Sequence, residues 1–303
     1  MLCRDNFSNV GSMDKIFKIL GIVSVYYPEI EELEANVISY LPYLDKLILW
    51  ENTPAKDSRL HLLSIQNDKL EVRTTGKNEY LAFPFNQAIE EARKMGCTHF
   101  LTMDQDSRFE DGHFECYLDQ IKKNEDPSIG VFGPNIVMRI PHVVYANPIL
   151  PERIKYLPEG GVVTSGSVYR MELFHDGGFL EDFAVYFLDP YMCLKARKMG
   201  YTIVVCTDVL MNHRGYAMKS KNGLMVNNYP PLNTYYYIRN GILIWKIYPE
   251  YYTFRSKYQF FKYNVFFRIA KMIFETDRLS KLRALFLGLY HAFIGKTGPY
   301  DVK

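Results

Sequence analysis

Short apolar segments alternate with segments of helical spacing along the first three quarters of the chain. The apolar segments predict buried strands at 16–26, 47–50, 70–73, from His99 onward, and at 129–132, 161–169 and 202–206. The helical segments lie at 28–41, 86–95, 112–123, 190–200 and 232–247. This alternation predicts an α/β fold whose mostly parallel, Rossmann-like sheet is flanked by helices.

The remaining segments predict loops and a helical C-terminal region. Residues 141–161 are rich in Pro and Gly and are expected to form a long loop, and 219–231 to be mobile. Two amphipathic helices are predicted within 258–293. We therefore expect a disordered N-terminus at 1–15, a catalytic domain at 16–248 and a C-terminal amphipathic helical region at 249–303.

Two carboxylates follow the apolar run that begins at His99. Asp104 and Asp106 are two positions apart, so in extended backbone both point to the same side. Open α/β sheets bind ligands past the carboxyl ends of their strands. Mg²⁺ or Mn²⁺ takes one or two protein carboxylates and completes its coordination with water and substrate phosphate. The pair therefore predicts a divalent-cation site, with an ordinary polar loop as the alternative.

Polar residues also follow two other predicted strands. Tyr26 and Tyr27 end the first strand, and Glu51 and Asn52 end the second. Because parallel strands end at one edge of a sheet, these residues are expected to lie beside the two aspartates, as in a nucleotide site.

Charge and cysteine content narrow the class of protein. The net charge of +2 gives no argument for nucleic-acid binding. Residues 246–303 contain 11 Lys and Arg against 4 Asp and Glu, a net +7, so the rest carries −5. That asymmetry indicates an anionic partner or surface near the C-terminal end. Five cysteines without a CxxC pair fit a reducing compartment, and no apolar run is long enough to span a bilayer.

Several segments together resemble family 2 inverting glycosyltransferases of the GT-A fold, and within them the rhamnosyltransferase-like group. The segments, in chain order, are IVSVYYP, LILWENTP, NEYLAFPFNQAI, LTMDQDS, TSGSVYR, FLDPYMCLKARKMGY, NHRG and YYYIRN. They cover about 16–248, and the tail GLYHAFIGKTG matches weakly. The chain departs from the family pattern at Tyr80, where Gly is usual, and at Leu188 and Tyr191, where acids are common.

The resemblance implies transfer of a sugar from a nucleotide diphosphate, dTDP- or UDP-linked, to a glycan hydroxyl with inversion. It implies Asp189 as the catalytic base, and Asp104, Asp106 and His213 as ligands of Mg²⁺ or Mn²⁺. The residues implied in donor binding are Tyr26, Tyr27, Pro28, Glu51, Asn52, Asn78, Asn86, Asp104, Gln105, Ser165, Gly166 and Arg239.

Four of these residues have structural alternatives. Asp189 precedes Pro190 and is also expected as a helix N-cap. His213 is alternatively a structural histidine, and Glu51 a solvated turn residue. Arg239 is expected either on a phosphate or in an ion pair on a helix surface.

The leading functional prediction is a dTDP-L-rhamnose-dependent transferase that builds a bacterial surface polysaccharide. The alternatives are a UDP-hexose-dependent transferase of the same fold and an inactive sugar-nucleotide-binding protein. The basic, aromatic C-terminal helices are expected either to cap the core or to lie on a membrane surface. The second case predicts a cytoplasmic enzyme held at the inner face of the membrane, beside a lipid-linked glycan acceptor.

Overall fold

The fold is described here from a computed structural model covering residues 16–54, 59–60, 67–140, 143–145, 148–213, 217–219, 225–227 and 229–300. Ten strands in these ranges form one sheet, with the path β3-β2-β1-β4-β9-β6-β10-β5 and with β7 on β6 and β8 on β10. The strands are β1 Ile19–Val25, β2 Lys46–Glu51, β3 Leu70–Arg73, β4 His99–Asp104, β5 Ser107–Phe109, β6 Ile129–Ile140, β7 Val143–Tyr145, β8 Ile154–Tyr156, β9 Ser167–Arg170 and β10 Thr202–His213.

The sheet is mixed, with a parallel N-terminal half. Strands β3, β2, β1 and β4 are all parallel, as the alternating pattern predicts. Strand β9 is antiparallel to both β4 and β6, whereas β10 runs parallel to β6. The short strand β5 pairs antiparallel with the end of β10. That last pairing places His213 opposite Ser107, directly after the two aspartates.

Helices cover both faces of the sheet. They are α1 Ile30–Ile38, α2 Ala82–Lys94, α3 His113–Lys123, α4 Leu188–Lys198 and α5 Pro231–Ile247. Alternate strand residues feed two separate cores: Ile19 and Val23 pack on the face of α1 and α3, and Leu20 and Ile22 on the face of α2 and α4. Because both faces are covered, the central strands β1, β2 and β4 are buried along nearly their whole length.

Three sequence predictions about strands were wrong in extent. Strands β6 and β10 each extend to twelve residues because they pair with each other along most of their length, across a register shift between Cys206 and Leu210. Strand β9 starts at Ser167 rather than at 161, because Gly166 adopts a left-handed φ of 79°. The predicted loop at 141–161 contains β7 and β8, although parts of it lie outside the described residues.

The C-terminal region contains more helix than the two amphipathic helices that the sequence predicted. Helix α6 (Phe254–Phe261) runs through a π-helical segment, Lys262–Phe266, into α7 (Phe267–Met272), and α8 follows at Arg278–Ile294. Helix α8 packs closely along α5, since a Cβ added at Gly288 would lie 2.8 Å from the carbonyl oxygen of Tyr235. Among the described residues, no helix is long and apolar enough to cross a membrane.

Two predicted segments lie wholly or partly outside the described ranges. The predicted disordered N-terminus, 1–15, is outside them. Strand β12 (Met225–Asn227) lies within the segment predicted to be mobile and pairs with β11 (Ala217–Lys219), which ends where that segment begins, as a separate two-stranded sheet.

Candidate active site

The strand ends bring Asp104, Asp106 and His213 into one group. Asp104 is the last residue of β4, Asp106 lies in the turn before β5, and His213 ends β10. The Nδ1 atom of His213 lies 4.0 Å from Oδ2 of Asp104 and 3.7 Å from Oδ1 of Asp106. Each residue offers one ligand atom within 4.8 Å of the others. The three residues that were predicted as metal ligands therefore lie together at the carboxyl ends of the strands.

A chain of hydroxyl groups orients the histidine. The backbone N–H of Asp104 donates to Ser165 Oγ at 3.0 Å, and the Ser165 hydroxyl donates to Ser107 Oγ at 2.8 Å. Ser107 Oγ lies 2.8 Å from Nδ1 of His213. Nδ1 is thus the ring nitrogen that contacts Ser107 and also lies nearest the two carboxylates, so Ser107 fixes the orientation of the His213 ring at the group.

The electrostatics of the group suit a divalent cation. Burial raises the pKa of Asp104 above its ordinary value, and the nearby Asp106 charge raises it further while His213 opposes it. Two carboxylates and an imidazole that remain partly accessible are the donors that Mg²⁺ or Mn²⁺ accepts, with places left for water and phosphate oxygens. A bound cation would remove the repulsion between the carboxylates. The residues therefore fit the predicted metal, although they do not select one ion.

Asp189 belongs to the same electrostatic environment. It is half-buried in the first turn of α4, and burial raises its pKa to about 7, with a further contribution from the charge of Asp104. The predicted N-cap role is wrong: Phe187 is the N-cap residue, and no side chain caps the helix. Asp189 is instead the second residue of the helix, where its carboxylate accepts a hydrogen bond from its own backbone N–H.

The backbone before Asp189 is strained and is held by α5. Ala184, Tyr186 and Phe187 have φ values of 56°, 64° and 63°, a region that side-chain-bearing residues rarely adopt. The amide nitrogen of Asn240 donates to the carbonyl oxygens of Phe183, Val185 and Tyr186 at 2.9, 2.8 and 3.1 Å. Asn240 is fully buried, so this segment is fixed from the protein interior.

Arg239 supports the same segment and does not lie at the strand edge. Its guanidinium donates to the carbonyl oxygens of Asp182 at 2.9 Å and Gly298 at 2.5 Å, and its side chain is fully buried. Tyr235 and Tyr236 cover it with their rings, 5.2 and 4.9 Å from the guanidinium carbon. The predicted surface ion pair is therefore wrong. The predicted phosphate contact is also at odds with this placement, because the donor groups are occupied inside the protein.

Tyr26, Tyr27 and Gln105 meet at the end of β1. The side chain of Gln105 accepts from the backbone N–H of Tyr26 at 2.7 Å and donates to its carbonyl at 3.3 Å. Both tyrosine rings are exposed, 4.6 Å apart in an edge-to-face arrangement, and Pro28 follows them half-buried. Two exposed rings beside the carboxylates form an aromatic surface of the kind that binds a planar base.

Glu51 and Asn52 are buried at the end of β2. Glu51 is fully buried, so the alternative of a solvated turn residue is wrong. Asn52 donates to the Tyr80 carbonyl oxygen at 2.5 Å and accepts from the Glu79 N–H at 2.9 Å, and Asn78 accepts from the Tyr80 N–H at 2.8 Å. Tyr80 has a φ of 60°, which explains why glycine is usual there. Asn52 and Asn78 thus shape the loop after β3 in this structure.

Asn86, Ser165 and Gly166 also make internal contacts. Asn86 donates to the Phe179 carbonyl at 2.9 Å and accepts from its N–H at 2.7 Å, which holds the segment before α4. Gly166 is fixed by a hydrogen bond from its N–H to the Thr102 carbonyl at 2.8 Å. Ser165 accepts from the backbone N–H of Asp104, so all three residues hold the segments around the two aspartates in place and do not form an exposed binding surface. The donor-binding roles proposed for them stay predictions.

Sequence reasoning missed two residues that shape this site. Ser107 was visible only as the end of the Asp-Gln-Asp-Ser segment, and its contact with His213 depends on the β5–β10 pairing. Asn240 was visible as the last residue of YYYIRN. Its role depends on contacts with the strained segment 183–187, which is far away in the chain, so no local sequence pattern predicts it.

Comparison with known structures identifies the architecture. The GalNAc-T7 structure with UDP, GalNAc and Mn²⁺ superposes with a TM-score of 0.55 at 11% identity, over 77% of this chain. This chain spans about half of it, 48%. Residues 1–349 of Staphylococcus aureus TarS, in complex with UDP-GlcNAc, give a TM-score of 0.54 at 14% identity, over 94% of both chains. This chain has the GT-A glycosyltransferase fold.

A sequence relative supports the same class of enzyme. The dTDP-rhamnosyl transferase RfbF of Shigella flexneri is 25% identical over 248 residues, which is 75% of this chain and 79% of the relative. No family model matches the chain. Together with the GT-A fold, this relative supports a glycosyltransferase similar to the rhamnosyltransferases of family 2. The predictions of fold and enzyme class are confirmed at that level.

Proposed function

We propose that the protein transfers L-rhamnose from dTDP-L-rhamnose to a hydroxyl group of a glycan acceptor, with inversion at the anomeric carbon. The observation that carries the proposal is the placement of Asp189 within electrostatic reach of the Asp104–Asp106–His213 group. An inverting transfer needs a base on the acceptor side and charge neutralisation on the leaving-group side. The similarity to the Shigella rhamnosyl transferase supports the choice of donor.

Asp189 would act on the acceptor. As the acceptor hydroxyl oxygen forms its bond to the anomeric carbon, the bond from that carbon to the diphosphate oxygen breaks, and the hydroxyl proton passes to the Asp189 carboxylate. A pKa of about 7 makes this carboxylate a stronger base than an ordinary aspartate while leaving a substantial ionised fraction near neutral pH.

The opposite side of the site would receive the donor. A divalent cation bound by Asp104, Asp106 and His213 would supply Lewis-acid stabilisation of the departing diphosphate. Because the exposed rings of Tyr26 and Tyr27 stand edge to face, one of them would stack on the nucleobase of the donor, and Gln105 would keep their backbone in place.

A UDP-linked hexose is the second candidate donor, since the TarS neighbour was solved with UDP-GlcNAc. The test is release of nucleoside diphosphate from dTDP-rhamnose, UDP-glucose and UDP-galactose, in parallel, with a lipid-linked glycan extract as acceptor. Turnover of dTDP-rhamnose alone supports the proposal. Turnover of a UDP-sugar alone would show that the donor is a UDP-linked hexose and not dTDP-rhamnose. Nucleotide binding without turnover of any donor would favour an inactive sugar-nucleotide-binding protein.

We further propose that the C-terminal helices rest on an anionic membrane surface and present a lipid-linked acceptor. Part of their apolar surface packs on α5, through Val265, Met272 and Leu285. Many large apolar residues of these helices and of the turn between α7 and α8 remain exposed: Phe254, Tyr258, Tyr263, Phe266, Phe267, Ile273, Phe274, Leu279, Phe286, Tyr290, Phe293 and Ile294. Exposed aromatic residues among lysines and arginines are typical of interfacial helices.

Flotation with vesicles tests this surface without disturbing the core. Leu279 and Phe293 are 82% and 84% exposed, so serine at both positions should leave folding intact. Vesicles of phosphatidylcholine with phosphatidylglycerol should carry the wild-type protein upward and the double variant much less. Equal flotation of the two proteins would contradict membrane docking.

A further inference from the structure

A small cavity lies between α5 and the π-helical segment, beside the segment that leads to Asp189. Its volume is about 150 Å³. Its lining includes the four polar or charged residues Thr234, Asn264, Arg268 and Lys271 and the three rings of Tyr229, Tyr237 and Tyr263. Pockets that hold a whole drug-sized ligand have volumes of roughly 300–1,000 Å³, so this cavity suits one small group of a larger substrate.

The lining combines aromatic rings with positive charge. Arg268 lies over the ring of Tyr229, 5.7 Å from its centre. Lys262 is not part of the lining, but it lies over the ring of the lining residue Tyr263 at 5.5 Å. Arg268 and Lys281 share the buried carboxylate of Glu275. Lys271 is exposed at the cavity and adds a further positive charge.

The wall also contains unused hydrogen-bonding capacity. Thr234 is 3% exposed, and among the described residues its hydroxyl has no hydrogen-bond partner. Asn264 lies within a π-helical turn, and such turns are often found at functional sites. Cations, phenol groups, an amide and a hydroxyl around so small a volume match an oxyanion with several acceptor oxygens.

The cavity is connected to the candidate base through aromatic contacts. The ring of Tyr237 lies 5.2 Å from that of Phe187, which is two residues before Asp189. Tyr186 lies 5.9 Å from Tyr237 and 6.3 Å from Tyr229, ring centre to ring centre. A ligand group held in this cavity would therefore contact rings that pack against the segment leading to Asp189.

We propose that this cavity binds a phosphate group of the acceptor and that its tyrosines contact the sugar attached to that phosphate. The inference deepens the proposed function, because the ligand is the acceptor of the same reaction. The basic C-terminal helices then have a role in substrate recognition as well as in surface binding. Lys271 is the residue to vary, since it is exposed and its replacement leaves the Arg268–Glu275–Lys281 cluster intact.

The test is calorimetric binding of octyl phosphate, with octyl glucoside as the uncharged ligand of equal tail length. Hydrogen bonds to charged groups predict that Lys271→Glu weakens octyl phosphate binding about tenfold or more and leaves octyl glucoside binding unchanged. Lys94→Glu, an exposed position near the end of α2, is the matched charge control and should bind like the wild type. Absence of octyl phosphate binding, or equal losses in the two variants, would overturn the proposal.

Two further measurements separate this proposal from the proposed function and from binding of a lipid headgroup. In turnover, Lys271→Glu should raise the KM for the glycan acceptor and leave the KM for the nucleotide sugar unchanged. If no donor is turned over, the proposed function fails, while octyl phosphate binding still decides whether the cavity is an anion site. If Lys271→Glu abolishes binding only to phosphatidylglycerol vesicles and leaves octyl phosphate binding intact, the cations serve a lipid headgroup and the proposal is wrong.

Discussion

Replacement of Asn240 by Ala should impair catalysis although Asn240 is buried and the substitution leaves the Asp104–Asp106–His213 group unaltered. The amide of Asn240 serves three carbonyl groups of the strained segment that precedes Asp189. One hydrogen bond contributes about 1 kcal/mol net, and a buried carbonyl left unpaired costs about 1–3 kcal/mol. We therefore expect the free energy of unfolding to fall by about 3 kcal/mol.

The catalytic effect should exceed what lower stability explains. Three residues of this segment hold left-handed φ values, and each costs about 1–3 kcal/mol when nothing supports it. Once released, the segment should relax and displace Asp189, and a displacement of about 1 Å lowers the rate about 100-fold. The assay is kcat for nucleoside diphosphate release, measured well below the melting temperature of the variant.

Asn135→Ala is the matched control. Asn135 is also fully buried, and its amide donates to the Thr207 carbonyl at 2.7 Å, on strands away from the 183–187 segment. It should lose stability and keep kcat within a few-fold of the wild type. If Asn240→Ala loses stability and retains the wild-type kcat, the idea that α5 positions Asp189 is refuted.

Three other predictions concern the edge of the sheet. Because the pKa of Asp189 is raised to about 7 and only its ionised form accepts a proton, log kcat should rise with slope one below about pH 7 and level off above it; a flat profile from pH 5 to 8 would contradict the base assignment. Ser107→Ala removes the partner of His213 and should weaken Mn²⁺ binding about 10–100-fold by calorimetry, with unchanged affinity arguing against histidine ligation. Gly166→Ala forces a side chain into a φ of 79° with its Cβ 2.6 Å from Pro134 Cγ, so thermal or urea unfolding should show a loss of about 2–4 kcal/mol; a loss below about 1 kcal/mol would show that the turn adapts.

The local pattern of the chain was enough to predict the parallel core. Apolar runs identified β1, β2 and β4 closely because each is buried on both faces, and the spacing of Asp104 and Asp106 placed two carboxylates at one edge. The long strands β6 and β10 were predicted too short, since their later residues are stabilised by pairing with each other and not by a local apolar run.

Roles that depend on tertiary contacts were not accessible from local sequence. Asp189 has the sequence context of an N-cap, yet the left-handed conformation of Phe187 starts the helix one residue before it. Arg239 is typical of a phosphate ligand, but the fold encloses it beneath the C-terminal residues near Gly298. In both cases, contacts between segments far apart in the chain decide what the side chain does.

The most direct test of the account is release of dTDP from dTDP-rhamnose in the presence of the lipid-linked glycan extract. It compares wild type, Asp189→Asn and Asp111→Asn, the last being a control at a 98% exposed side chain, each with Mn²⁺ and with EDTA. We predict acceptor-dependent release by wild type and Asp111→Asn that requires the metal, and loss of release in Asp189→Asn with nucleotide binding retained. Release by Asp189→Asn at the wild-type rate, or release undiminished by EDTA, would contradict the central claim.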